Sequence, residues 1–244
     1  MIDREPAAAG APIADSEADT LRLFDEVLKR PDAALARMAR PGWRGRAARL
    51  AAGCLAAMAL YGGAAGLFGS EPWLAAWKAP LIVALSVLLC APSLYVLAGL
   101  VGRQMPPREF AGALCGFLAT LGLLLLALMP IAWLFSVSSR SLTFVVWLHA
   151  LLWILAVLLA VRFLARVFAG NGGTLFLWVL LFLLVSLQAA TVLRPVLVRV
   201  PGAPLFAGGK LFFFDHLGEI SRAERAAEEA AEEAARKAAA HSSP

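Results

Sequence analysis

Between Pro72 and Asp215 the chain has one carboxylate, Glu109, and it lies between apolar runs rather than inside one. Proton- and cation-coupled transporters keep an Asp or Glu at bilayer depth to bind the coupling ion, so the absence argues against that class. Cysteine is scarce: Cys54, Cys90 and Cys115 are all there are, each within an apolar run, with no CxxC or His-paired spacing. They read as small buried hydrophobes, Cys54 and Cys115 toward the inner leaflet and Cys90 near mid-membrane, rather than as a metal or disulfide site. Phosphate-binding glycine loops are missing too, because neither Gly62-Gly63 nor Gly172-Gly173 leads into a lysine or a strand-to-helix turn. Asp215-His216 is the one adjacent acid–base pair, without a nucleophile or second ligand at recognisable spacing. The expectation is a non-enzyme with no cofactor and no metal.

What is abundant is apolar surface. The 244 residues are 61% hydrophobic, with a mean hydropathy of +0.76, against about 45–50% apolar for soluble domains. Apolar segments near 20 residues match a hydrocarbon core of about 30 Å at a rise of about 1.5 Å per residue. Five such segments are expected, at roughly 50–69, 80–101, 110–134, 142–165 and 174–193. The predicted fold class is therefore all-α, a polytopic membrane helix bundle of about five transmembrane helices. An amphipathic cytoplasmic segment precedes it and a charged helix follows it. The first 48 residues are polar or amphipathic, so the first span is expected to act as an uncleaved anchor.

The net charge of +5 is placed unevenly: nine of the 22 Lys and Arg residues precede residue 50. Basic residues just ahead of a first span read as a flank facing anionic headgroups, which makes nucleic acid an unexpected partner and the lipid bilayer an expected one. Residues 1–16 read as disordered. Residues 17–30 read as a short helix with Leu21, Phe24, Val27 and Leu28 on one face and Asp15 or Ser16 as cap. Pro31 ends that helix or opens the next at its first turn. In the rest of the cytoplasmic segment 17–49, Arg37, Arg40, Arg44, Arg46 and Arg49 surround Leu35, Met38 and Trp43. That pattern fits an interfacial stretch with Trp43 at headgroup level and the arginines toward phosphate, or an ordinary basic flank. Beyond that flank, Arg103, Arg108, Arg162 and Arg166 fall on the same side, against Lys78 and Arg140 in external loops. The bias predicts a cytoplasmic N-terminus, and the high Ala, Arg and Leu usage suggests a bacterium, hence its inner membrane.

Within the spans, Gly62 and Gly66 form a small-residue pair suited to close helix approach. Residues 70–79 read as an external loop with Trp73 and Trp77 as interface anchors. Pro92 removes a backbone donor near the bilayer centre and is expected to kink its helix, with Ser93 or Tyr95 satisfying the loosened groups. His149 is the one histidine inside a span. It is expected to be neutral and hydrogen-bonded to another helix rather than to relay protons, with Gln188, Ser93 or Tyr95 as partners. Residues 194–217 contain Arg194, Pro195, Arg199 and Lys210, which interrupt any continuous 18-residue run, so they read as an interfacial tail rather than a sixth span. Residues 218–244 carry a charged Ala-rich helix with Glu232–Arg236 and Glu233–Lys237 spaced as i,i+4 pairs.

Lys78-Ala79-Pro80-Leu81, Pro92-Ser93-Leu94-Tyr95, Gly102 and Leu193-Arg194-Pro195 resemble a little-characterised family of bacterial polytopic membrane proteins, over roughly residues 35–215. The layout of an amphipathic cytoplasmic N-terminus and five close-packed spans also resembles the Yip family of Rab-interacting membrane proteins. That resemblance implies a non-enzymatic bundle that recruits or organises a protein partner or a second copy of itself. The charged Ala-rich tail departs from the Yip pattern, and bacteria have no Rab system, so the partner does not carry over. Two functions follow. One is a membrane scaffold or accessory subunit whose N-terminal helices dock a partner. The other is a channel or non-ion-coupled carrier lined by Pro92, Ser93, Tyr95, His149 and Gln188.

Overall fold

The computed structural model describes residues 11–67, 72–100, 102, 105–139, 141–168 and 172–193, with positions 218, 222, 225, 226, 229, 230 and 233. Seven helices account for the continuous stretches: α1 (Ala11–Lys29), α2 (Pro31–Met38), α3 (Trp43–Gly66), α4 (Pro72–Leu100), α5 (Pro107–Ser138), α6 (Leu142–Val167) and α7 (Gly172–Val192). No strand occurs among the described residues. Helices α3 to α7 are each long and apolar enough to cross a membrane. The protein is an all-α, multi-pass membrane bundle.

Local chemistry sets the helix ends. Pro31 opens α2 and Pro107 opens α5, positions where a missing N–H costs nothing. Gly42 and Gly102 sit in the turns before α3 and α5 at φ of 81° and 77°, backbone that a Cβ would strain. The Ser141 hydroxyl accepts the Phe144 amide at 3.2 Å and caps α6.

Several boundaries differ from expectation. Residues 11–16, expected to be disordered, belong to α1, so Asp15 and Ser16 lie inside the helix rather than capping it. Residues 43–49 are the first two turns of α3, continuous with the first span. The largest correction concerns 70–79: α4 begins at Pro72, so Trp73, Trp77 and Lys78 are helical and Lys78 is fully buried. One lysine among apolar neighbours marks the end of a hydropathy run, yet it does not end a helix. The predicted tail at 194–217 lies outside the described residues. The positions described between 218 and 233 are helical, and those from Arg222 onward are exposed.

The five long helices pack in the order α3–α4–α7–α6–α5, with α5 returning to α3 to close a ring. Glycines set how closely they approach. A Cβ on Gly62 would stand 2.5 Å from the Ala75 carbonyl and 2.7 Å from the Ala79 methyl, so α3 and α4 touch backbone to backbone there. Gly122 brings α5 against the Cys54 backbone of α3, and the Phe163 ring of α6 lies directly on Gly116 of α5. Small residues do this work because lipid supplies no hydrophobic drive between helices, leaving close van der Waals contact as the main attraction. The middle of the ring is filled by Phe117, Trp178 and Phe182, whose ring centroids lie 5.4–5.6 Å apart. Their stacked and edge-on arrangement is the favoured aromatic geometry.

Helices α1 and α2 form a hairpin across one end of the ring, packed on α3 and α5. Leu23, Val27, Ala34 and Met38 are buried in it. The Phe24 ring sits over Gly53 of α3, and Met38 lies against Gly112 of α5. Gly62→Val is expected to destabilise the bundle by about 1–3 kcal/mol, the usual cost of overpacking. Gly99, with open space around it, is expected to tolerate alanine or gain up to about 1 kcal/mol. Unfolding titrations in mixed micelles measure both.

Candidate functional site

Each long helix contributes a polar side chain near the end of the ring opposite the α1–α2 hairpin. They are Tyr61 on α3, Lys78 on α4, Ser136 on α5, His149 on α6 and Ser186 on α7. From their positions in the helices, all lie within about 10 Å of the helix ends on that side. Tyr61, Lys78, Ser136 and Ser186 are buried, and His149 is half-buried at the edge of the group. Trp73, Trp77, Trp133 and Trp147 are exposed around the same end. Tryptophan collects where hydrocarbon meets headgroups, so this belt sets the level of the layer at the membrane interface.

Three of the five residues form a hydrogen-bonded chain. Tyr61 Oη lies 2.9 Å from His149 Nδ1, and Ser136 Oγ lies 3.0 Å from His149 Nε2. Ser136 spends its proton on the Ala132 carbonyl at 2.7 Å. Its oxygen must therefore accept from the imidazole Nε2–H, which leaves Nδ1 to accept from the tyrosine hydroxyl. A single neutral tautomer satisfies every group, and the chain ties α3, α5 and α6 together. The Tyr61 ring also meets the imidazole edge-on at 5.7 Å.

His149 thus finds Tyr61 and Ser136 rather than Gln188, Ser93 or Tyr95. Tyr61 is one of two tyrosines in the chain, and its place within a span is the one sign that could have drawn attention to it. Gln188 is half-buried and outside this chain. Tyr95 is exposed, its ring edge-on to Phe110 at 5.1 Å. Pro92 faces outward on α4, which stays helical through both Pro80 and Pro92. Ser93 donates to the Cys90 carbonyl at 2.7 Å, and the Trp178 indole N–H donates to the same oxygen at 2.9 Å. The Trp178 bond joins α7 to α4 and was not foreseen, because nothing in a lone tryptophan names its acceptor. Arg194 and Pro195 lie outside the described residues.

At the hairpin end the arginines divide. Arg37 reaches Asp19 at 3.0 Å and Glu26 at 2.6 Å, and Arg49 reaches Asp19 at 3.1 Å and Thr20 at 3.1 Å. Expected to face lipid phosphate, these two instead hold α1 to α2 and α3. Arg46 donates to the carbonyls of Arg40 and Pro41 at 2.9 and 2.8 Å, bracing the turn before α3. Arg40 and Arg44 are exposed, with Arg44 over the Trp43 ring at 5.8 Å.

The cysteines remain thiols. Cys54 donates to the Leu118 carbonyl at 2.8 Å and lies beside Met58 Sδ at 3.8 Å. That contact is part of the α3–α5 seam.

No family model, curated protein or solved structure matches the chain.

A double-mutant cycle of Tyr61→Phe with His149→Leu is expected to give a coupling of about 0.6 kcal/mol, the average for hydrogen bonds between membrane helices. The hairpin pairs are part-exposed, so salt should loosen them. Raising salt from about 0.1 to about 1 M shortens the screening length from about 10 to about 3 Å. Amide exchange in α1 and α2 should then speed up while exchange in the middle of α5 stays unchanged.

Proposed function

We propose that the protein is a non-enzymatic scaffold or accessory subunit of a bacterial inner membrane, with a cytoplasmic N-terminus, similar in plan to the Yip family. The observation that carries this reading is the filled centre of the ring. Phe117, Trp178 and Phe182 are each fully buried and in mutual contact at mid-depth. A polar path through the bundle would have to pass that aromatic cluster. The residues first considered for such a path do not converge: Tyr95 and Pro92 face outward, while His149 is engaged by Tyr61 and Ser136. The channel reading therefore has less support than the scaffold.

The hairpin supplies the docking surface for a protein partner or a second copy. Its inner face is committed to the bundle, but Leu21 and Leu28, one heptad apart on α1, are 71% and 51% exposed. Two leucines at that spacing on a cytoplasmic helix suit a partner's apolar groove. The nearby basic residues Arg40 and Arg44, with Arg108, Arg162 and Arg166, are exposed at the same end and suit anionic lipid headgroups.

Co-purification in mild detergent tests the proposal. A partner or second copy should accompany the wild type and be lost from Leu21→Asp/Leu28→Asp, with helix content unchanged. Solute flux through reconstituted vesicles, abolished by His149→Ala, would instead establish the carrier reading.

A further inference from the structure

The outward face of α6 changes character near its C-terminal end. Phe144, Trp147, Leu151, Leu155 and Leu158 are exposed, at the three- and four-residue intervals that keep one face of a helix in line. The next positions in that series are Arg162 and Arg166, and both are exposed. Phe163 and Leu164, between them, turn into the bundle. Phe163 rests on Gly116 of α5, one turn from the Gly112 that meets Met38, so this end of α6 lies beside the hairpin. Two arginines one turn apart thus finish an otherwise apolar stripe that faces lipid.

Their depth follows from the length of the helix. Helix α6 has 26 residues, about 39 Å of helix across about 30 Å of hydrocarbon. If it is centred, about 4–5 Å projects at each end. Arg166, in the last turn, clears the hydrocarbon. Arg162 lies about 7.5 Å from the end, which puts its Cα about 3 Å inside the boundary. Trp147 stands as far from the other end and is exposed there, where an interface residue on a centred helix belongs. An arginine at the depth of Arg162 lays its apolar stem along the stripe and lifts its guanidinium to the phosphates.

Side chains at i,i+4 stand about 5–6 Å apart, and like charges at that spacing repel. An anion held between them removes that cost and offers each guanidinium an acceptor for its forked donors. Arg37 and Arg49 are half-buried and meet carboxylates on α1. Arg162 and Arg166 form no ion pair or hydrogen bond among the described residues, and their exposure leaves both forks accessible from the membrane. We infer that Arg162 and Arg166 form a binding site for one anionic phospholipid in the leaflet at the hairpin end. Its headgroup phosphate sits between the two guanidiniums, and an acyl chain lies along Leu158, Leu155 and Leu151. That apolar stripe is what selects a lipid over a free anion. The inference rests on the headgroup contact proposed for this end and narrows it to one helix face. It needs no protein partner, so it can fail while the docking of α1 stands.

The test uses the full chain, purified in mild detergent and stripped of lipid. It is titrated separately with phosphatidylglycerol and phosphatidylcholine, and bound lipid is counted by native mass spectrometry. The salt is held near about 0.1 M, where exposed charges beyond about 10 Å are largely screened. One phosphatidylglycerol should be retained in preference to phosphatidylcholine. Arg162→Gln/Arg166→Gln should weaken its binding about thirtyfold, the combined effect of two basic residues at an anionic surface. Arg162→Lys/Arg166→Lys keeps the charge but loses the forks, and should weaken it about fivefold. Arg22→Gln/Arg30→Gln removes two exposed charges from the hairpin and should bind as the wild type does. All four positions are exposed, so helix content should hold in every variant. Wild-type affinity in either α6 variant overturns the site. Equal loss in the hairpin variant would leave a general headgroup contact without this site, and no preference for phosphatidylglycerol would remove the contact itself.

Discussion

Hydrocarbon offers no hydrogen bonds, so every polar group carried into it must find its partner inside the chain or at the membrane's edge. Most of the bundle's interior follows from that constraint. Hydroxyls fold back onto carbonyls one turn away, Cys54 gives its proton to the α5 backbone, and Trp178 gives its indole proton to α4. His149 is satisfied on both nitrogens by neighbours on two other helices. Each bond between helices is weak by the standard of water-soluble cores. Each is also directional, and together they select one order of helices from many that would bury similar area.

The two ends of the ring are built differently. At the hairpin end, Arg37 and Arg49 meet Asp19 and Glu26 within the protein while other arginines stay exposed, and apolar residues of α1 and α2 cover α3 and α5. At the other end the layer holds hydroxyls, an imidazole and a buried lysine, with tryptophans around its rim. The filled aromatic centre lies between these ends.

Hydropathy made the five spans legible, and of the two roles open to Pro31, ending one helix or opening the next, the structure gives it the second. Hydropathy misplaced the start of α4, because a charged residue lowers a hydropathy average whether or not it faces lipid, and Lys78 faces inward. The arginines were equally ambiguous. Nothing in spacing distinguishes Arg37 and Arg49, which turn toward carboxylates on α1, from Arg40 and Arg44, which do not. His149 was singled out as a residue hydrogen-bonded to other helices, which it is, but its partners were misassigned. Tyr61 and Ser136 reach it only because α3, α5 and α6 are adjacent, and adjacency is a property of the closed ring, not of any one helix. Ser186 could be seen in the sequence as a polar residue within a span. That its hydroxyl meets no partner among the described residues could not.

The central claim is that α7 closes the ring against α4, in the register set by Trp178 and Cys90. Cysteine cross-linking in native membranes tests it most directly. In a chain whose own cysteines are replaced, Ile82→Cys with Ser186→Cys should oxidise to an intramolecular disulfide. A pair joining α7 to α3 at the same depth should stay reduced. The opposite pattern, α7 cross-linking to α3 and not to α4, would contradict the helix order on which this account rests.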